Sequence, residues 1–175
     1  MSNIENEGEI KFSALLEQVE KCMSQKLYYV AIMACLAIPD IGGAIDSDDG
    51  EAGSKTYKRW FDKYAAPKYQ GIGGELTGKE CYFLRCSMLH QGKAKHRGLR
   101  YSDIIFGEFT QTSSPVNPLY LAKSNVLLVE PKTFCTNMIY AAYDWLEVVH
   151  NNVMFKKNTD KFMTLFSVSF PDLQE

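Results

Sequence analysis

Three stretches of the chain repeat apolar residues at steps of three and four, and this periodicity constrains the fold most strongly. The pattern matches one face of an α-helix. It covers residues 10 to 38, 78 to 91 and 133 to 150, and the last stretch carries Phe134, Met138, Ala141, Trp145 and Val149 on one stripe. We therefore predict a mainly α protein, a helical bundle of four to five helices in one domain over residues 1 to 175.

Helix-ending residues set the remaining predicted boundaries. Pro39 and the Gly42-Gly43 pair are expected to end the first helix. The acidic segment "DSDDGEAGS" is then a solvated loop. A second helix is predicted over 55 to 65, with Ser54 as its N-cap and Pro67 beyond its end. A short helix near 159 to 166 is expected to close the chain, and residues 1 to 8 are expected to be flexible.

Two short segments have the composition of β-strands. Residues 101 to 109, "YSDIIFGEF", and residues 125 to 130, "NVLLVE", are rich in Ile, Val and Phe. The segment between them, "TQTSSPVNP", consists of turn-forming residues. We predict a small β-hairpin near 101 to 130, inserted before the last long helix.

Composition and charge exclude several classes of protein. The net charge of −2 excludes a globally basic nucleic-acid binder, although six Lys/Arg lie between Lys79 and Arg100 against one acid, Glu80. The first ten residues lack a signal-peptide pattern, and the uncharged run from Leu27 to Pro39 is too short to span a bilayer. Five cysteines without a CxxC spacing indicate reduced thiols. We expect a cytoplasmic protein with no membrane partner, no metal and no cofactor.

The helix predicted over 78 to 91, in "TGKECYFLRCSMLHQG", has both of its ends marked. Thr77 and Glu80 have the spacing of a capping box, and Gly92 stands just past the helix end. Its apolar face is wider than one core requires. Besides a core stripe, the face includes Tyr82, Cys86 and Leu89. We predict that this second face forms a subunit interface, and that Glu80 and Ser87 lie on the polar side.

Arg85 and His90 lie on the same helix, about 7.5 Å apart along its axis. Histidine exchanges protons near neutral pH, and arginine binds phosphate oxygens while keeping its charge. Cleavage of RNA without a metal requires a proton-transferring group and a fixed cation of this kind. The loop that follows the helix supplies four further cations that could hold flanking phosphates: Lys93, Lys95, Arg97 and Arg100.

The pattern Arg-x-x-x-x-His on a helix of a small α-bundle resembles the motif of the HEPN superfamily. The resemblance implies a four- or five-helix bundle, a homodimer formed through the motif helix, and metal-independent endoribonuclease activity. It also implies a role in defence or toxin–antitoxin systems and an antitoxin-like protein partner. In active nucleases of the family the residue after the arginine is commonly Asn, Asp or His. Here it is Cys86, which is typical of a variant branch.

A second interpretation retains the same fold without catalysis. In it, Arg85 and His90 are polar residues of the interface in a dimer that binds nucleic acid, a nucleotide or a protein. Three other sites are disfavoured. A nucleotide-binding loop at "GGELTGKE" is disfavoured because the motif lacks the required Ser/Thr. A thiol hydrolase with Cys86 as nucleophile and His90 as base is disfavoured because Cys86 lies among apolar neighbours. A metal site is disfavoured because Cys81, Cys86 and His90 spread too widely around the helix.

The remaining polar candidates have ordinary structural explanations. His96 is expected to be a solvated loop residue and His150 a helix cap. Asp40 and Asp62 are expected in a loop and on a helix surface, and either would assist catalysis if it oriented His90. Tyr82 lies between Arg85 and His90 on the helical wheel, where its ring could contact a base.

Overall fold

The computed structural model describes residues 7–69, 76–108, 120–121, 126–160 and 162–163. The mainly α class is confirmed. In these ranges the α-helices are α1 (Glu7–Ser24), α2 (Tyr28–Ile45), α3 (Ser54–Trp60), α4 (Gly78–Gln91), α5 (Pro131–Val149) and α6 (Val153–Thr159). A π-helix over Phe61–Ala65 and a 3-10 turn over Ala66–Tyr69 continue α3. The strands are β1 (Asp103–Phe106), β2 (Tyr120–Leu121) and β3 (Val126–Val129).

The single helix predicted over 10 to 38 is wrong, because the chain breaks between α1 and α2. Lys26 adopts a left-handed conformation with φ of 58°. The N–H of Leu27 donates to the carbonyl of Cys22 at 2.8 Å, and the N–H of Lys26 donates to Met23 at 3.0 Å. These two bonds form a Schellman motif, which satisfies the last carbonyls of α1. The apolar periodicity continues through the break, so it could not reveal it.

The expected helix end at Pro39 and Gly42-Gly43 is also wrong, since α2 continues to Ile45. Gly42 instead allows a close helix contact: a Cβ there would lie 2.3 Å from Nε1 of Trp60. At 18 residues with a mean hydropathy of 1.6, α2 is long and apolar enough to cross a membrane. However, 56% of it is buried in the protein, where it packs against α1, α3, α4 and α5. It is the central helix of the core.

Aromatic rings join the helices around α2. Trp145 of α5 meets Phe12 of α1 with ring centroids 5.1 Å apart and Trp60 of α3 at 6.0 Å, both edge to face. All three side chains are essentially inaccessible to solvent. Such rings contribute large buried apolar areas, so these contacts fix the relative positions of three helices.

The predicted hairpin is wrong in its pairing, although its place before the last long helix is correct. The strand order is β1-β3-β2, with β1 parallel to β3 in the register Ile104 to Leu127. Only β2 runs antiparallel to β3. Parallel neighbours cannot be joined by a tight turn. The turn-rich segment that suggested the hairpin lies outside the described residues.

Other boundaries agree with the sequence to within a few residues. Ser54 is the first residue of α3 rather than its cap, and α5 begins at Pro131. The carboxylate of Glu130 caps α5 by accepting from the N–H groups of Lys132 and Thr133. The final helix is misplaced: α6 ends where the prediction began, and residues 164 to 166 lie outside the described part. Residues 7 and 8 belong to α1 rather than to a flexible end, and residues 1 to 6 are not described.

Candidate functional site

Helix α4 has the predicted bounds, but its first turn is anchored differently from a capping box. Thr77 is the N-cap residue, yet its hydroxyl bonds the carboxylate of Glu80 rather than a backbone N–H. The N–H of Gly78 donates to Oδ1 of Asp62 at 2.6 Å. At the other end Gly92 has φ of 64°, the left-handed conformation expected there. Asp62, exposed on the π-helix, therefore ties α3 to the start of α4.

The core stripe of α4 is confirmed, while its predicted polar side is wrong. Cys81, Leu84 and Met88 are buried, but Glu80 and Ser87 are buried as well. The loop after α4 folds back over them. A Cβ on Gly98 would lie 2.5 Å from the ring of Phe83, which shows how closely this loop packs on the helix.

The structure brings Arg85 and His90 together and adds Asp40 of α2. Nε of Arg85 donates to Oδ2 of Asp40 at 2.6 Å, while Nη1 of Arg85 lies 3.3 Å from Nε2 of His90. The side chains of Asp40 and Arg85 are 13% and 23% exposed, and His90 is exposed. The three groups form a chain that begins at a buried carboxylate and ends at the surface. We call it the Asp–Arg–His chain.

Burial and charge act in opposite directions within this chain. Burial raises the pKa of Asp40, and the charge of Arg85 with its hydrogen bond offsets this only in part. Burial lowers the pKa of Arg85, but the carboxylate of Asp40 and a hydrogen bond with Cys86 more than compensate, so its pKa is raised. The guanidinium therefore stays charged, whereas the carboxylate pays a desolvation cost that its partner only partly offsets.

The contact between Arg85 and His90 assigns a role to one imidazole nitrogen. A guanidinium has only donors, so Nη1 donates and Nε2 of His90 accepts. This contact requires a neutral ring whose proton is on Nδ1. An imidazolium would place two positive charges side by side. In this arrangement His90 carries a lone pair directed toward the group that would bind a phosphate.

In the loop after α4, two of the four cations predicted to hold flanking phosphates contact carboxylates of the protein itself. Nζ of Lys95 lies 3.0 Å from Asp103, and Nε of Arg100 lies 3.8 Å from Glu80. Lys93 and Arg97 are exposed to solvent. Because this loop covers Phe83, which is seven residues before His90 and hence on the same face of α4, it lies on the His90 side of the helix.

His96 is packed rather than solvated, contrary to the prediction. Its ring stacks on Phe83 with centroids 4.4 Å apart and an interplanar angle of 12°. Its Nδ1 accepts from the N–H of Gly98 at 3.0 Å, which requires that this nitrogen carry no proton. His150 lies at the end of α5 as predicted, with Nδ1 3.1 Å from the carbonyl of Leu146.

The three residues predicted to form an interface are half-buried in one protomer. Tyr82 packs edge to face on Tyr57 at 5.4 Å and lies beneath the ammonium of Lys58 at 5.1 Å. Cys86 lies near both Tyr82 and Arg85, and Leu89 lies beside them on the wheel. Tyr82 is thus held against α3.

The competing sites gain nothing from the structure. Among the described residues, no group of three or more His, Cys, Asp or Glu side chains could hold a metal ion. The five cysteines are unpaired with one another, and burial raises the pKa of Cys81 to about 12. Gly78 is packed against Lys58 of α3, where a Cβ would lie 2.6 Å from the Lys58 carbonyl, which leaves no space for a phosphate.

Asp40 is the member of the Asp–Arg–His chain whose position the sequence does not predict. Pro39 predicts a loop at Asp40, whereas Asp40 lies four residues after Leu36, on the buried side of an apolar helix. A carboxylate at such a position calls for a cationic partner. The four-residue spacing from Leu36 to Asp40 indicates this buried position if the helix continues past Pro39.

Comparisons with known proteins complete the description of this site. No family model matches the chain, and neither the curated proteins nor the solved structures include a match. The Asp–Arg–His chain is therefore interpreted from its own geometry.

Proposed function

We propose that this protein is a metal-independent endoribonuclease of HEPN type, with the Asp–Arg–His chain as its active site. The observation that carries the proposal is the pair of contacts made by Arg85, to Asp40 at 2.6 Å and to His90 at 3.3 Å. A phosphate-binding cation and a proton-transferring group are held together at the surface of one helix. A cytoplasmic location and an antitoxin-like protein partner accompany this proposal.

The reaction would begin when a phosphate of RNA displaces His90 from Arg85. Nη1 then donates to a phosphate oxygen, while Asp40 continues to hold Nε. Release of Nε2 leaves a free lone pair, and His90 removes the proton of the 2′-hydroxyl as a general base. The 2′-oxygen attacks phosphorus, Arg85 stabilises the charge on the phosphorane, and the 5′-oxygen leaves with a proton. The products are a 2′,3′-cyclic phosphate and a 5′-hydroxyl.

A homodimer through α4 would supply the acid for the leaving group. Two copies of the helix related by a two-fold axis bring two arginines and two histidines into one groove. One His90 then acts as base and the second, protonated, as acid. Cys86 and Leu89 would lie in the interface, and Lys93 and Arg97 would hold flanking phosphates, since both are exposed.

The second function is a non-catalytic dimer that binds nucleic acid, a nucleotide or a protein. The ion pair itself favours it: Arg85 already satisfies the carboxylate of Asp40 in a largely buried position. In this case Arg85 and His90 contribute to binding or to the interface, and no bond is broken.

The test is cleavage of mixed cellular RNA by the purified protein in excess EDTA. The variants are His90→Ala and Arg85→Ala. His150→Ala and Arg59→Ala are the matched controls, because His150 caps α5 and Arg59 is exposed on α3. We expect cleavage that leaves cyclic phosphate ends in the wild type and in both controls, with a loss of at least about 100-fold in the two site variants. Equal cleavage by all five proteins, or by none, would overturn the catalytic proposal.

A further inference from the structure

A groove opens beside the last turn of α4, outside the Asp–Arg–His chain. It has a volume of about 470 Å³ and lies between the start of α2, strand β1 and the end of α4. Its walls are mainly apolar and aromatic and include Tyr28, Tyr29, Ile105 and Phe106. Tyr29 is 79% exposed and lines the groove, so its side chain is accessible to a ligand there. The volume is within the range of small-ligand sites.

The groove and the site share two structural elements. Met88 and Gly92, which also line the groove, come three and seven residues after Arg85 and so lie on its side of α4, opposite His90. On α2, Tyr29 and Asp40 are eleven residues apart, which places them within about 20° of each other around the helix axis. A ligand in the groove would therefore lie on the Arg85 side of α4.

Few of the described residues that line the groove are charged. They include one cation, Lys26, and one carboxylate, Glu108. The pKa of Tyr28 is raised, first by its interaction with the Glu108 carboxylate, then by burial and by the charges of Glu108 and Glu130. This described lining has no excess of positive charge that would favour a phosphate. It favours a flat, uncharged group with donors and acceptors on its edge, since the rings offer stacking and the carboxylate accepts from amino groups.

We propose that this groove binds one unpaired nucleobase of a single-stranded RNA, next to the bond that is cut. The inference rests on the proposed function, because it places the backbone phosphates on Arg85, Lys93 and Arg97 and only a base in the groove. Tyr29 supplies the stacking surface. A peptide would fit the apolar walls equally well, but the exposed cations on the adjacent loop favour a polyanion whose bases turn inward.

The test measures binding rather than cleavage, with short fluorescent single-stranded RNAs and His90→Ala as the parent protein. Each base of the RNA is removed in turn to leave an abasic nucleotide. We expect one position at which removal weakens binding about ten-fold, the effect of one stacked base. Tyr29→Ala should abolish this sensitivity and Tyr29→Phe should retain it. Tyr140→Ala is the matched control, because Tyr140 is 58% exposed and does not line the groove; it lines a neighbouring cavity that shares Lys26 and Tyr28 with the groove.

The outcomes separate this inference from the proposed function. Base-dependent binding that needs Tyr29 supports the groove even if the wild type cleaves no RNA. If the wild type cleaves RNA but Tyr29→Ala and its parent are equally sensitive to abasic positions, the groove does not bind the base through Tyr29. That result would overturn the base-binding proposal and leave the proposed nuclease activity standing. Failure of the parent to bind any of the RNAs, or sensitivity lost equally in Tyr140→Ala, would also overturn it.

Discussion

The Asp40–Arg85 pair should be energetically asymmetric. In Arg85→Met the carboxylate of Asp40, only 13% exposed, is left without its cation, while the methionine retains most of the packing of the arginine stem. Stranding a buried charge costs about 3 kcal/mol of unfolding free energy. In Asp40→Asn the isolated group is Arg85, which is 23% exposed and long enough to turn its guanidinium to water. We expect that variant to lose about 1 kcal/mol.

The asymmetry should depend on pH in a defined direction. The pKa of Asp40 in the folded protein is raised above its ordinary value, mainly by burial. The folded state therefore binds this proton more tightly than the unfolded state, and stability decreases as pH rises through the folded pKa. Arg85 lowers that pKa, so its removal raises it further. The destabilisation in Arg85→Met should be nearly absent near about pH 4 and fully developed at about pH 7.

Urea unfolding followed by the fluorescence of Trp60 and Trp145 measures both effects. The double variant Asp40→Asn/Arg85→Met should be more stable than Arg85→Met alone, because it contains no stranded charge. The reasoning is refuted if Asp40→Asn costs as much as Arg85→Met, or if the loss in Arg85→Met is the same at both pH values. Either result would mean that the ion pair contributes through packing rather than through charge.

Three further predictions concern the helices that position the site. Gly42→Ala should lower the free energy of unfolding by about 2 kcal/mol, although alanine has the better helix propensity, because the new Cβ would overlap Trp60. Gly107→Ala is the control in the same urea unfolding experiment, since its Cβ would lie 3.7 Å from the nearest atom. Lys26→Gly should raise the thermal midpoint, with a gain of about 1 kcal/mol, because Lys26 has φ of 58°; a decrease would contradict the Schellman assignment. Glu130→Ala should cost about 1 kcal/mol in the same measurement by removing the cap of α5, and an unchanged midpoint would show that the cap is not needed.

The sequence predicted those elements whose boundaries are marked locally. Helix α4 has the predicted bounds, and its end is marked locally because Gly92 takes the left-handed conformation that glycine tolerates. Helix α5 follows from its apolar stripe, although it begins at Pro131, two residues before the predicted start at Thr133. In each case the information lies within a few residues of the boundary.

The errors arose where tertiary packing overrode such local signals. Pro39 and Gly42 were interpreted as helix breakers, but α2 is held on several sides by other helices, and Gly42 is there because Trp60 leaves no space for a side chain. The left-handed turn at Lys26 uses a residue with no sequence preference for it. The parallel pairing of β1 with β3 depends on where the chain travels between them, which composition does not encode.

The motif alone would not have brought Arg85 and His90 into contact. Five residues along a helix correspond to a rotation of about 140°, so the two side chains leave α4 on different faces. Their contact at 3.3 Å requires the arginine to lie along the helix surface, and Asp40 holds its Nε in that position. The arrangement therefore depends on α2 passing Pro39 without interruption, because a helix that ended there would not place the carboxylate beneath Arg85. A residue outside the motif thus determines whether the motif can act as a site.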